Sequence, residues 1–479
     1  MKTIRVFEKS IVALLTITMV FTQPARTDSS AHTIFVPRQM AYNPIYEQAL
    51  TFDEYAHMGD QFLLLSVKPM YTQTVGSSLK KYFNINHVSD MNVRENGSGN
   101  IDSLWFQVIS APDTYYSSTV SFRPIQQTYG TMFYLAWMLP ADFALTVNTA
   151  FVKRKNNMHI RETDIPADAF GQLPGFTTVS EAFTNPTMTY GKINGSQSKS
   201  GVDDLQIKLL KNFRLCDESL LLVAYALAGA PTGHGSKAVS LFEPIVGSKH
   251  AQAGLGFNAE KSWNFDRCNR FALYGELKWR YGFKAKETRS FDMTPNGQWS
   301  RYLLFTTPTA DANPFFAINN LTFKANVTPR NSVDLLLAAH ADHNNFCFEL
   351  GYNFWYRQAE KVTPFITLPE VGVADLVGIA QLANTTPVTV TTASNATISE
   401  GVYPNEFQMP RDAVYTLVAA DNIDTKSGTQ ATSLANAVFG SFGYQCERCT
   451  VGVNVSYEGA ANSNTASIVS VWANIDIRF

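Results

Sequence analysis

Residues Ser467–Phe479 read SIVSVWANIDIRF, and their period decides the fold. Val469, Val471, Ala473, Ile475, Ile477 and Phe479 share one parity, while Ser470, Trp472, Asn474, Asp476 and Arg478 share the other. Successive side chains of a strand point to opposite faces, so this is a strand with one face in an apolar medium and one in a polar medium. Strands of soluble sandwiches usually run about 5–6 residues, whereas one tilted across a bilayer needs roughly 9–11. The stretch has the length for the bilayer.

Outward from there the same alternation recurs. Phe271, Leu273, Leu277, Trp279, Tyr281 and Phe283 alternate with Tyr274, Glu276, Lys278 and Arg280; Phe346, Phe348, Leu350, Tyr352, Phe354 and Tyr356 alternate with Glu349, Asn353 and Arg357. Weaker copies lie around Phe143–Phe151, Leu205–Phe213, Leu255–Trp263 and Val451–Tyr457. Short connections at Pro140–Ala141, Arg214–Glu218, Asn264–Asn269, Asp342–Asn345 and Cys446–Arg448 alternate with long ones at about 155–200, 231–249, 284–330 and 358–435. Segregating short turns to one side and long loops to the other is the habit of an antiparallel up-and-down transmembrane β-barrel. The expected fold is therefore all-β, about 12–14 strands; the higher count applies if 73–116 adds a pair, with Leu104–Ile109 a candidate short strand. Expected boundaries are an export signal over 1–31, a periplasmic segment or plug over 32–60, and the barrel over 61–479.

Composition agrees. Charged residues make up 16% of the 479, below the roughly 25% of soluble domains. Aromatics reach 13%, with 33 Phe and 20 Tyr, which suits a lipid-facing wall with aromatic girdles. A net charge of −2 argues against a nucleic-acid partner. Lys2, Arg5 and Lys9 precede an apolar run from Ile11 to about Phe21, the pattern of an export signal, with Ala25 and Ala31 as alternative cleavage points. Five cysteines are too few for a disulfide scaffold. Cys446 and Cys449 span a tight turn, and a structural disulfide there is favoured over two thiols.

The alternation of Val471, Ala473, Ile475 and Ile477 closing on Phe479 resembles the carboxy-terminal assembly signal of Gram-negative outer-membrane β-barrel proteins, porins among them. That resemblance implies a bacterial outer-membrane location and a contact between the last strand and the barrel assembly machinery. Ser332–Arg357 (SVDLLLAAHADHNNFCFELGYNFWYR) and Phe35–Gln39 (FVPRQ) more weakly resemble pieces of uncharacterised outer-membrane proteins of uncultivated, host-associated bacteria, with no chemistry attached.

The polar faces carry both signs of charge. Lys208, Glu260, Glu276, Lys278, Arg280, Glu349, Arg357, Asp476 and Arg478 are the candidate pore lining, with Asp334 on the same face. In an open lumen such charges set ion preference; in an occluded one they pair with each other. If the faces alternate as read, Leu277→Arg is costly and Lys278→Ala mild.

Tyr71-Thr72-Gln73 resembles a fragment of the outer-membrane phospholipase pattern, but the element carrying nucleophile and base is missing. Without a nucleophile–base–orienter set no enzyme is expected, nor any metal or other cofactor. The expected function is a porin-like transport channel for passive diffusion of small polar solutes, partnered by outer-membrane lipid, with a homo-oligomer left open. The alternative is a surface protein whose long loops mediate adhesion or host interaction.

Overall fold

The computed structural model describes residues 31–52, 62–76, 78–95, 99–109, 115–171, 176–215, 219–266, 269–307, 314–374, 396–399 and 417–479. The export-signal expectation, apart from Ala31, lies outside these residues, as do Cys216 and Cys268.

The alternating stretches form one closed antiparallel sheet. In chain order its strands are β1 (Leu63–Val75), β2 (Ile125–Leu139), β3 (Phe143–Asn157), β4 (Ser196–Val202 continued by Leu205–Leu215), β5 (Leu220–Ala230) and β6 (Gln252–Asn264). They continue as β7 (Asn269–Gly282), β8 (Arg330–His343), β9 (Phe346–Arg357), β10 (Ser433–Gln445), β11 (Cys449–Ala460) and β12 (Ser467–Arg478). Both segments of β4 pair with β3, one at each end of it, so thirteen segments fill twelve places in the wall. The sheet closes where β12 pairs with β1, Ile477 opposite Leu65 and Val471 opposite Tyr71. Closure satisfies every edge, which a strand in lipid requires.

The count is twelve, and 73–116 adds nothing to the wall beyond the end of β1. After Val75 the chain enters a small separate sheet, with Asp90–Arg94 beside Ser117–Ser121. The candidate strand at Leu104–Ile109 is instead a 3-10 turn, Ser103–Phe106, followed by the two-residue strand Val108–Ile109. Trp105 and Phe106 are buried there, so their apolar character serves a core and not a lipid face.

Outward side chains are apolar and exposed: Leu277 51%, Leu255 59%, Val455 54%. Trp137, Phe143, Phe213 and Trp263 ring the short-turn end, and Tyr129, Phe151, Trp279 and Tyr457 the other. An apolar band between two aromatic girdles is the surface of a membrane-spanning barrel. The β2–β3 turn is tight because Ala141 and Asp142 both take positive φ, 58° and 56°, the twist a hairpin prefers.

The long connections fold together. Trp105, Phe106, Phe183, Trp299, Tyr302 and Phe316 share one buried cluster outside the wall. Trp299 Nε1 donates to the Phe83 carbonyl at 2.9 Å and the Tyr302 hydroxyl to the Gly191 carbonyl at 2.8 Å, tying three connections into a cap.

Candidate functional site

The inside of the barrel is occupied by the chain's own residues 31–52. All are buried except Val36 and Arg38, which are partly so. The segment starts in the cap, where Phe35 packs on Tyr82 and Phe242. It ends near the short turns, where the Thr51 hydroxyl donates to Asp476 at 3.3 Å and Asn474 donates to the Ala49 carbonyl at 2.7 Å. Apart from the 3-10 turn Met40–Tyr42, the short helix Pro44–Gln48 capped by Asn43, and the helical residues 51–52, it is irregular. Its backbone groups must find partners in the wall, because a buried unpaired amide is costly. The Met40 and Ala41 amides donate to Asp203, the Leu50 amide to Glu349, and Lys68 donates to the Tyr46 and Glu47 carbonyls.

Two charged side chains anchor the segment. Glu47 pairs with Lys208 and, at 3.3 Å, with Lys278. Glu276 lies 3.3 Å from Lys208 on the other side and accepts the Tyr225 hydroxyl. Arg38 pairs with Asp334 and, at 2.9 Å, with Glu458, while Arg280 takes the other oxygen of Asp334 at 3.0 Å. Glycines on the wall make room: a Cβ on Gly229 would sit 2.2 Å from the Tyr42 hydroxyl, and one on Gly256 2.0 Å from Tyr225 Cζ.

Towards the short turns a second network closes the lumen. His340 bonds Asp342 at 2.8 Å and Glu349 at 3.4 Å, Arg270 pairs with Glu260 and Asp342, and Tyr274 donates to Glu349. Arg478 donates to the Cys446 and Glu447 carbonyls over the turn, where Cys446 and Cys449 form a disulfide.

All nine candidate pore-lining residues thus point inward, and none is more than 8% exposed. The expected water-filled lumen is filled instead, by the segment and by ion pairs between neighbouring strands. Lys278→Ala is therefore not the mild change expected of a solvated lumen. It removes a partner of Glu47 in a buried network, and breaking such a pair typically costs about 3–5 kcal/mol. Arg38 and Glu47 escaped the sequence reading because their stretch has no period. Lys68, Arg154 and Glu458 share the parity of the polar faces, which was signal enough to find them.

At the loop-side mouth, in the strand Ala285–Ser290, Glu287 meets His250 at 2.8 Å and Arg289 at 2.8 Å. Burial alone would raise its carboxyl; the Arg289 charge and the His250 hydrogen bond outweigh that and hold it down at about 2.

No protein-family model matches the chain, and no curated protein matches it. Among solved structures, an outer membrane channel from Pseudomonas putida F1 is similar over 88% of this chain and 96% of its own, at 10% identity and a TM-score of 0.38. The NanC porin is similar over 87% of this chain and all (100%) of its own, at 8% identity and a TM-score of 0.28. For the transport unit of the autotransporter AIDA-I from Escherichia coli the figures are 92%, 100%, 8% and 0.30. These likenesses are too distant to carry an inference, and function has to be read from this chain's own residues.

Proposed function

We propose that the protein is a gated channel for small polar solutes in a bacterial outer membrane, with residues 31–52 as the gate. One observation carries this reading: Glu47 sits between Lys208 and Lys278, occupying the charges that an open lumen would present to water. A wall built only for rigidity has no need of inward faces this polar. Packed apolar side chains of similar volume would stabilise it as well or better. Once the segment withdraws, water can take over every hydrogen bond it made, so the open state is chemically supplied in advance. No catalytic step is part of this reading.

A second reading has its own support. The long connections share a buried aromatic core, and a folded cap of that kind offers a stable surface to a partner outside the cell.

Single-channel conductance in a planar bilayer separates the two. The native protein should be closed for most of the record. Glu47→Gln, which leaves Lys278 short of a counter-charge unless water enters, should open far more often, in steps that scale with salt. Folded, inserted protein that stays silent in both forms would abandon the channel and leave the cap as the working surface.

A further inference from the structure

A cavity of about 50 Å³ lies inside the barrel at its loop-side end, beyond the level that Glu47 fills. That is room for roughly three or four waters. Its wall is rich in guanidinium: Arg38, Arg280, Arg330 and Arg357 all line it. Trp355 lines it too, its ring centroid 5.2 Å from Arg38 Cζ and 5.5 Å from Arg357 Cζ.

The acids nearby are already engaged. Glu287 and Glu360 both hold Arg289, at 2.8 and 3.3 Å, and Asp334 is shared between Arg38 and Arg280. Arg357 donates to the Val36 carbonyl and the Ser433 hydroxyl, each at 3.2 Å, and forms no ion pair among the described residues. The side chain of Arg330, half-buried at the start of β8, has neither hydrogen bond nor ion pair among them.

The fully buried side-chain atoms of this wall that lack a partner are all of one kind. Among the described residues, Nε of Arg38, Arg280 and Arg357 and Nε1 of Trp355 have no partner, and all four are donors. Among the described residues, no fully buried side-chain acceptor of the wall is without a partner. The side chain of Arg38 is 5% exposed, and Arg280, Trp355 and Arg357 are 4%, 4% and 8% exposed, so bulk water does not relieve them. Buried N–H groups left unpaired are costly and are retained where something completes them.

We propose that this cavity is a binding site for a small oxyanion, the carboxylate or phosphate head of a solute. Arg330 and Arg357 supply positive charge beyond the ion pairs, and the guanidinium groups of Arg38 and Arg280 and the indole of Trp355 supply the remaining donors of the wall. The planar guanidinium fork suits both kinds of oxyanion. The small volume admits an anionic head and little more. This deepens the channel reading by naming the class of solute, and as a solute site it rests on that reading.

The test is isothermal titration calorimetry of the full-length protein in detergent, in low-chloride buffer. Sodium acetate and inorganic phosphate are the probes, and acetamide is the uncharged control. At least one anion should give saturable heat and acetamide none; which anion binds tells carboxylate from phosphate. Arg330→Gln removes no side-chain hydrogen bond among the described residues and should weaken binding about tenfold or more at an unchanged unfolding temperature. Arg357→Gln, if it folds, should do the same. Native protein that binds neither anion, binds acetamide equally well, or keeps its affinity in both variants overturns the site. Anion binding by a protein that never conducts would remove the channel reading and leave an anion site in a closed barrel.

Discussion

The guanidinium of Arg38 meets the carboxylate of Asp334 inside the barrel, 296 residues further along the chain. Because Asp334 also holds Arg280 and Arg38 also holds Glu458, this one pair joins the lumen segment to β7, β8 and β11. Such a crossing point fixes both the depth and the rotation of the segment.

Arg38→Gln should loosen the segment without unfolding the wall. It leaves the buried Glu458 without its guanidinium, a defect of about 3–5 kcal/mol while the lumen stays dry. Hydrogen exchange of the Met40 and Leu50 amides, which donate to Asp203 and Glu349, should then speed up by about a hundredfold or more. Unchanged exchange at both amides would show that the segment is not held by this pair.

Leu277→Arg should cost about 2–4 kcal/mol in reversible unfolding from lipid vesicles, because Leu277 faces outward in the middle of the apolar band. A neutral result would contradict the assignment of the lipid face.

Acid should weaken the loop-side mouth through Glu287. Its carboxyl is held down at about 2, so its ionised form stabilises the folded state. A lowered carboxyl contributes fully above its unfolded value, about 4.3, and the contribution fades as pH falls towards 2. The stability gap between the native protein and Glu287→Gln should therefore be widest near neutrality, at most about 3 kcal/mol, and close between pH 4.5 and 2. A gap that does not narrow on acidification would mean that the carboxylate is not the stabilising form.

Sidedness is testable in intact cells. A thiol reagent unable to cross the outer membrane should label Thr187→Cys, exposed on the cap, and miss Asn345→Cys, exposed at the β8–β9 turn. The opposite labelling would invert the barrel.

The wall was legible because lipid on one side and polar groups on the other impose a period of two on every strand. Leu277 and Lys278 declare their faces by position alone. Even the interior charge pattern was visible in outline, since Lys208, Glu276 and Arg357 fall on the polar parity. What the period could not disclose was whether the space between those charges held water. The answer lies in Arg38 and Glu47, on a stretch whose irregular backbone is fixed by tertiary partners and so leaves no repeat. Leu104–Ile109 misled for a related reason: a short apolar run reads the same whether it faces lipid or a cap core.

The course of residues 31–52 down the lumen also constrains how the molecule is built. Translation delivers this stretch before any wall strand exists, yet β12 seals against β1 only after everything else has been made. The barrel can therefore be wrapped around its own leading stretch, a mandrel whose Arg38 and Glu47 would select the facing strands as they arrive.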